Sequence, residues 1–264
     1  MTNNRILEHA IKASVAAGKI LLANYNENLK VSKKESARDI LTDIDKMAEN
    51  EIISILKQCD PEISIITEEQ GKVVDKSKST YWLIDALDGT VNYVNHIPFF
   101  CVSIAYIEND VITAGAIYVP MFDDIYFGAR GVGAFKNHEA ISAKDVSLNA
   151  ALLSASFSGK NYDPANRENE FKLFAQINDE SRGCLRTGSA ALNLAFLAEG
   201  RLNGCWGKAN KYWDIAAGLL LAELAGNKVT LTPVNKEKNI YSYVACGPTL
   251  WETLYPRVKP VINL

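Results

Sequence analysis

The chain has 264 residues, 48% of them hydrophobic, and a formal net charge of −3. This size is enough for one large hydrophobic core or two smaller ones. Its 28 basic residues are spread without a dense cluster, which argues against a nucleic-acid-binding surface. The sequence contains no uninterrupted apolar span of about 18 residues and no signal-peptide pattern, so we expect a soluble, cytoplasmic protein with no membrane partner.

The first two elements in chain order are predicted to be helices. Apolar residues recur at helical spacing up to Leu22, after a cap at Asn3 or Asn4. A second apolar stripe predicts a helix over 44–56, which ends before Pro61 and has acidic residues at its beginning.

The next region is predicted to be an antiparallel meander of strands. Runs rich in β-branched and aromatic residues are separated by short turns, one of them at Asn109 and Asp110. The glycine-rich stretch GARGVGAF, at 128–135, has no helix after it and is interpreted as another turn. The predicted strands are 63–66, 81–85, 101–107, 111–119 and 124–129.

After about residue 147 the pattern mixes strands with helices. The predicted strands are 152–158, 228–232 and 242–246, and the predicted helices are 170–177, 189–199, 215–225 and one after Pro248. The chain has no internal repeat and no low-complexity linker. We therefore predict an α/β (α+β) fold with two tightly packed domains, an N-terminal α+β domain at 1–147 and a C-terminal α/β domain at 148–264.

Two aspartates and a hydroxyl follow one of the predicted strands. The stretch YWLIDALDGT leads from apolar residues into Asp85, Asp88, Gly89 and Thr90. An Asp-Gly pair between apolar runs is also a common hairpin signal, so a purely structural turn is an alternative. Two neighbouring carboxylates repel each other unless a cation lies between them, and Mg²⁺ prefers oxygen ligands. The stretch therefore indicates a divalent-cation site.

Further acidic residues stand at the ends of other predicted elements. Glu68 and Glu69 follow a strand, where a solvated surface pair is the alternative. Asp214 precedes a strongly apolar helix, where an aspartate also serves as an N-cap worth about 1 kcal/mol. For the acidic segment at 34–45, the alternative is a solvated helix N-terminus. Because element ends can converge on one cleft, and helix N-termini favour phosphate, their coincidence predicts a phosphate site.

Other catalytic signatures are weak. The three histidines show no His-Glu-x-x-His pattern, and the stretch SFSGKN at 156–161 lacks the leading glycine of a P-loop. No Gly-x-Ser-x-Gly motif is present. The five cysteines are widely separated and include no Cys-x-x-Cys pair, which predicts reduced core residues.

Several spaced motifs together resemble the inositol monophosphatase family of Mg²⁺-dependent, lithium-sensitive phosphatases. They are the glutamate pair at 68–69, IDALDGT at 84–90, GSAALNLAFLAEG at 188–200 and WDIAAG at 213–218. The similarity extends over nearly the whole chain. It implies a layered α-β-α-β-α sandwich of the sugar phosphatase type, a homodimer, and metal ions bound where the two halves meet.

The resemblance also implies metal ligands for two or three Mg²⁺ ions per site. By motif position, Glu68, Asp85 and the backbone carbonyl of Leu87 would hold the first ion. Asp85, Asp88 and Asp214 would hold the second, and Glu68 would help to bind a weaker third. The bound ions would activate the attacking water and neutralise the leaving oxygen, so no covalent enzyme intermediate is needed.

Other roles follow from the same resemblance. Thr90, paired with Asp45, would orient the attacking water, with Glu68 as a further catalytic residue. Substrate contacts are expected around the phosphate and along the organic part of the substrate. These contacts are Leu87, Asp88, Gly89, Thr90, Gly188, Ser189, Ala190 and Asp214.

The sequence departs from the family pattern at two positions. Ala86 replaces the usual proline after Asp85, which leaves the metal loop less stiff. Gly207 stands where inositol-processing relatives commonly have a glutamate that binds sugar-like hydroxyls. We expect a phosphomonoesterase for inositol monophosphate or related small sugar or polyol phosphates. The alternatives are the 2′-phosphate of NADP(H), a 3′-phosphoadenosine nucleotide, fructose 1,6-bisphosphate, or a non-catalytic metal-binding regulatory protein.

Overall fold

A computed structural model of the protein describes residues 3–25, 31–33, 40–70, 72–73, 79–157 and 166–262. Within these ranges the helices are α1 (Asn3–Asn24), α2 (Asp43–Cys59), α3 (Thr90–Val94), α4 (Arg167–Glu180), α5 (Ala190–Ala198), α6 (Tyr212–Leu224) and α7 (Pro248–Ile262). The strands are β1 (Val31–Lys33), β2 (Ile40–Thr42), β3 (Ser64–Thr67), β4 (Lys72–Val73), β5 (Thr80–Asp88), β6 (Cys101–Glu108), β7 (Val111–Val119), β8 (Asp124–Ala129), β9 (Gly133–Lys136), β10 (Glu139–Ala140), β11 (Leu152–Ser156), β12 (Gly183–Leu185), β13 (Gly204–Lys211), β14 (Lys228–Asn235) and β15 (Ile240–Cys246).

Two large sheets organise these strands. The first has eight strands in the order β10-β9-β8-β7-β6-β5-β3-β4, and only β3 and β5 run parallel to each other. The second has five strands in the order β12-β11-β13-β15-β14, in which β11 is parallel to both of its neighbours. The short strands β1 and β2 form a separate antiparallel pair. The predicted meander corresponds to β5 through β8.

Helices α1 and α2 cover one face of the eight-stranded sheet. The buried stripe of α1 includes Ala10, Ala17 and Leu21, at the helical spacing seen in the sequence. Gly18 lets the helix approach the sheet closely, because a Cβ there would lie 2.2 Å from Cδ1 of Tyr118 on β7. This close approach joins the first helical layer to the sheet in one hydrophobic core.

Helices α5 and α6 form the middle layer, between the two sheets. All nine residues of α5 are buried, and its core cluster includes residues of both sheets. A helix that is apolar on every side is stable only where it is covered on every side. Gly218 of α6 packs directly against α5, where a Cβ would lie 2.4 Å from Cβ of Leu194.

Helices α4 and α7 cover the far face of the five-stranded sheet and complete the layers. The order is therefore helices, sheet, helices, sheet, helices, which confirms the predicted layered α-β-α-β-α fold class. The boundary predicted at residue 147 falls between β10 and β11. The division into domains at 1–147 and 148–264 stays a prediction.

Some element boundaries differ from those predicted. Strand β5 does not end at Asp85 but continues to Asp88 through a bulge in its pairing with β6. Helix α6 begins at Tyr212, so Asp214 lies inside its first turn and does not precede it. The reason is that Lys211 at the N-cap makes no side-chain capping hydrogen bond, so no capping residue marks this start in the sequence. The stretch 158–161, part of the P-loop-like motif, lies outside the described residues.

The remaining sequence expectations concern cysteines and membranes. All five cysteines are free, and four of them are buried as predicted, whereas Cys59 is half-buried. Among the described residues, the helices lack the combination of length and apolar composition that a membrane crossing requires.

Candidate active site

The acidic residues picked out in the sequence converge on one cavity. Glu68 follows β3, and Asp85 lies near the end of β5, whose parallel pairing with β3 matches Thr67 with Ile84. The ends of both strands therefore reach the same edge of the sheet. Asp214, in the first turn of α6, meets them there. The cavity has a volume of about 670 Å³.

A β-bulge brings both aspartates of β5 to this cavity. Residues three apart on a regular strand point to opposite faces of the sheet. Here Asp85 pairs with Ser103 and Asp88 with Cys101, so two residues on β5 oppose one residue on β6. The extra residue restores the alternation, and both side chains line the cavity. The backbone N–H of Leu87 donates to Oδ1 of Asp85 at 2.9 Å and fixes that carboxylate.

Three carboxylates lie close enough to share a metal ion. One oxygen each from Glu68, Asp85 and Asp214 lies within 4.8 Å of the other two. Burial raises the pKa of the Asp85 carboxyl well above its usual value, and the charges of Glu68 and Asp214 raise it further. Burial also raises the pKa of Asp214, and the charges of Glu68 and Asp88 raise it further. An all-oxygen set of crowded anions fits a hard divalent cation such as Mg²⁺.

Asp88 is held by the N-terminus of α5. Its Oδ2 accepts hydrogen bonds from Oγ of Ser189 at 2.6 Å and from the backbone N–H of Ala191 at 2.7 Å. Burial raises the pKa of Asp88 to about 6, against the opposing effect of these hydrogen bonds. The N-terminus of α5 therefore fixes the orientation of the Asp88 carboxylate on the cavity wall.

Ser189 therefore does not line the cavity. It is buried, its hydroxyl donates to Asp88, and its Oγ also accepts from the backbone N–H of Leu192 as the N-cap of α5. Its neighbours Gly188 and Ala190 line the cavity. Its expected contact with substrate stays a prediction, as do the other roles assigned by motif position.

The turn after β5 supplies the next predicted residues. Gly89 has a left-handed φ of 97°, and a Cβ there would lie 2.9 Å from the carbonyl oxygen of Phe99. Only glycine satisfies both conditions without strain. The hydroxyl of Thr90 donates to the carbonyl oxygen of Leu87 at 3.0 Å. Asp45 is buried in the first turn of α2, and its charge contributes to the raised pKa of Asp85.

Glu49 is a site-supporting residue that the sequence reading missed. It is buried on α2, where its carboxylate accepts the backbone N–H groups of Glu69 at 3.0 Å and Gln70 at 3.2 Å. Glu49 was missed because it belongs to no recognisable sequence motif. The two hydrogen bonds fix the loop that carries Glu68 into the cavity.

The cavity wall also carries cationic and amide side chains. Arg186 and Lys211 place cations on its wall, and Asn210 adds an amide. Lys211 lies over the ring of Trp213, with Nζ 5.2 Å from the ring centroid. The sequence reading missed these residues because they flank the recognised motifs and do not belong to them. Their position in the sequence next to GSAALNLAFLAEG and WDIAAG could have identified them.

Comparison with known proteins gives a consistent result. A family model described as the inositol monophosphatase family matches residues 2–258. The chain is 37% identical over 222 residues to Nus factor SuhB of Xylella fastidiosa, covering 83% of this chain and 79% of the relative. It is 34% identical over 234 residues to fructose-1,6-bisphosphatase/inositol-1-monophosphatase of Aquifex aeolicus, covering 86% of both.

A solved structure extends the comparison to three dimensions. The inositol monophosphatase of Anabaena (Nostoc) sp. superimposes with a TM-score of 0.82 at 33% identity, covering 97% of this chain and 95% of that one.

Proposed function

Because the chain belongs to the inositol monophosphatase family, and is therefore a phosphoric monoester hydrolase, we propose that its substrates are inositol monophosphate or related small sugar and polyol phosphates. We propose that Mg²⁺ is its cofactor. The observation that carries the proposal is the convergence of carboxylates from Glu68, Asp85 and Asp214 within 4.8 Å.

The ligands for two or three Mg²⁺ ions would come from this cluster and its surroundings. Glu68, Asp85, Asp88 and Asp214 would supply carboxylates, and Leu87 would supply its backbone carbonyl. When bound, Mg²⁺ provides positive charge that favours ionisation of water and neutralises the departing oxygen. The fit rests on the crowding itself, since buried like charges repel unless a cation lies among them.

The chain's own groups orient the reactants. The Thr90 hydroxyl is held at the carbonyl of Leu87, and we assign it, with Asp45, to aligning the attacking water. Gly89 lets the turn at the cavity wall pack closely against the backbone of Phe99, and we place the phosphate beside this turn. No serine, cysteine or histidine is assigned as a nucleophile, because direct attack by water suits a site built from carboxylates.

A second candidate function concerns the substrate alone. Arg186 and Lys211 on the cavity wall favour an ester that carries a second anionic group. The candidates are fructose 1,6-bisphosphate, the 2′-phosphate of NADP(H) and 3′-phosphoadenosine nucleotides. Position 207 is a glycine and so contributes no carboxylate that would repel such a group.

Several further properties belong to the proposal on the strength of family membership. We propose a cytoplasmic homodimer that is inhibited by lithium. We propose that its binding partners are small phosphorylated substrates, without nucleic acid or membrane.

The decisive experiment is phosphate release from a substrate panel by protein stripped of metal and then supplied with Mg²⁺. The panel contains inositol 1-phosphate, a linear polyol phosphate and the three alternative substrates. We expect release only with Mg²⁺, and a loss of roughly 100-fold or more in Asp88→Asn, because a carboxylate that stabilises the cation is lost.

The matched control is Asp179→Asn, which removes an exposed aspartate from α4. A full rate after exhaustive chelation, or an unchanged rate in Asp88→Asn, would show that the proposed mechanism is wrong. It would also reopen the non-catalytic regulatory alternative. A clear preference for a bisphosphate over inositol 1-phosphate would replace the first candidate by the second.

A further inference from the structure

The side-chain amide of Asn92 joins two segments that are distant in the sequence. Asn92 is buried in α3, two positions after Thr90, and it lines the cavity. Its Nδ2 donates one hydrogen bond to the carbonyl oxygen of Phe99 at 2.7 Å and another to the carbonyl oxygen of Thr187 at 2.9 Å. One side chain therefore connects the loop that follows α3 with the segment between β12 and α5, and it uses both amide hydrogens to do so.

Glycines allow the close packing around this amide. A Cβ at Gly188, which has a left-handed φ of 92°, would lie 3.1 Å from both Nδ2 and Oδ1 of Asn92. Gly89 in turn packs closely against the same Phe99 carbonyl that Asn92 binds. The amide thus bridges two parts of the cavity wall, the turn at Gly89 and residues 186–188, which we call the 186–188 loop.

A separate hydrogen bond fixes the metal-ligand side of this region. The Ser189 hydroxyl, just after the 186–188 loop, donates to Asp88. The Asn92 amide instead binds the carbonyl of Thr187, within the loop itself. Because the two connections involve different groups, loss of the Asn92 amide should loosen the 186–188 loop and leave Asp88 in place.

Arg186 is the side chain whose position depends most on this loop. It is exposed, and it lies on the cavity wall. A long side chain has several rotamers, so the position of its backbone determines which part of the cavity the guanidinium reaches. A guanidinium binds two phosphate oxygens at once only in a fixed orientation, so its recognition of an anion is sensitive to displacement of the loop.

We propose that Asn92 is a positioning residue, which holds the 186–188 loop against the turn at Gly89 so that Arg186 binds phosphate oxygens of the substrate. The inference rests on the proposed function and adds the connection that orients one substrate-binding side chain. The position requires an amide, because an aspartate of the same shape would place a carboxylate against two carbonyl oxygens.

The test is a double-mutant cycle that combines Asn92→Ala with Arg186→Ala. Both kcat and KM are measured with Mg²⁺ on the substrate panel, and the ester that the wild type hydrolyses best decides. We expect Asn92→Ala to lower kcat/KM about tenfold, mainly through KM, because a contact shared by substrate and transition state is weakened. In an Arg186→Ala background the same change should cost less than about threefold, since the residue that Asn92 positions is gone.

Mg²⁺ titration calorimetry separates positioning from a general loss of structure. Asn92→Ala should bind Mg²⁺ as tightly as the wild type, because Asp88 keeps its own hydrogen bonds. The matched control is Asn95→Ala, which should keep wild-type kinetics. Asn95 is an exposed asparagine at the C-cap of the same helix, and its Nδ2 donates to the carbonyl of Val91 at 2.7 Å.

Asn92→Ser also lacks the bridging amide, so it should repeat the alanine result, and it decides if the alanine variant does not fold. An equal loss in both backgrounds, or no loss in either, would overturn the inference and leave the proposed function intact. A parallel fall in Mg²⁺ affinity, or failure of both variants to fold, would also overturn it, because either result assigns Asn92 to structure. Wild-type protein that hydrolyses no ester of the panel with Mg²⁺ would contradict the proposed function as well.

Discussion

The crowded carboxylates of this site destabilise the folded protein when no cation is bound among them. Asp85 is buried beside Glu68 and Asp214, which raises its pKa. A carboxyl with a raised folded-state pKa favours folding at low pH, and this contribution is lost as the pH rises through that pKa. At neutral pH the metal-free cluster should therefore cost stability, which bound Mg²⁺ should return.

Asp85→Asn tests this balance. The variant keeps Oδ1 as acceptor for the N–H of Leu87 but removes one charge. At pH 7.5 without metal, we expect its melting temperature to exceed that of the wild type by a few degrees, since about 1 kcal/mol corresponds to roughly 2–4 °C at this size. Adding Mg²⁺ should stabilise the wild type and leave the variant unchanged.

Differential scanning calorimetry measures both effects, with Asp179→Asn as the control at an exposed site. A metal-free Asp85→Asn protein that melts below the wild type, yet responds to Mg²⁺ as the wild type does, would contradict this account of the cluster.

At the level of elements, the spacing of apolar residues predicted the helices that bury only one face. Helices α1 and α2 bury one stripe each and were found in this way. The meander strands β5 and β6 are buried on both faces, and they were found from runs of β-branched and aromatic residues between short turns. The bulge in β5 was not predicted from the sequence, because Ala86 and Leu87 are ordinary strand residues and the irregularity arises from pairing with β6. Helix α6 was found from its apolar length, but its first turn was missed for lack of a capping side chain.

The site was predictable where its residues lie in recognisable motifs. Glu68, Asp85 and Asp214 were selected from the sequence and lie together. The hydrogen bond of Ser189 to Asp88 was not predictable, because it joins residues 101 positions apart. Asn210 was missed for a similar reason, since its position depends on a bulge and on the space above a glycine.

The junction between α5 and β5 gives a prediction for Ser189→Ala. The change removes the N-cap of α5 and a hydrogen bond to the Asp88 carboxylate, so we expect a loss of about 1–2 kcal/mol in the free energy of unfolding. Mg²⁺ affinity should fall roughly 10- to 100-fold, as when a group that orients a metal ligand is removed. Urea unfolding and Mg²⁺ titration calorimetry measure the two effects.

Ser189→Thr should recover both properties because it keeps the hydroxyl. Ser147→Ala is a matched control, since Ser147 is exposed and makes no side-chain capping bond at the 3-10 helix it precedes. If Ser189→Ala loses stability but binds Mg²⁺ as tightly as the wild type, Ser189 acts only as a helix cap and does not orient a metal ligand.

On the scale of the whole molecule, the five layers place element ends from distant parts of the chain around one cavity. Strands β3 and β5 of the first sheet bring Glu68 and Asp85, and α6 of the middle layer brings Asp214. Strand β13 of the second sheet adds Asn210. The layered fold thus lets both sheets and the middle layer of helices contribute residues to one cavity.

The most direct test is the anomalous scattering of Mn²⁺, a substitute for Mg²⁺ with similar ligand preferences, in soaked crystals of the wild-type protein. We predict density within about 2.0–2.3 Å of carboxylate oxygens from Glu68, Asp85 and Asp214, typical of oxygen-ligated cations of this size. An absence of density in the cavity at saturating Mn²⁺, with Asp214 turned away from Asp85, would contradict the account.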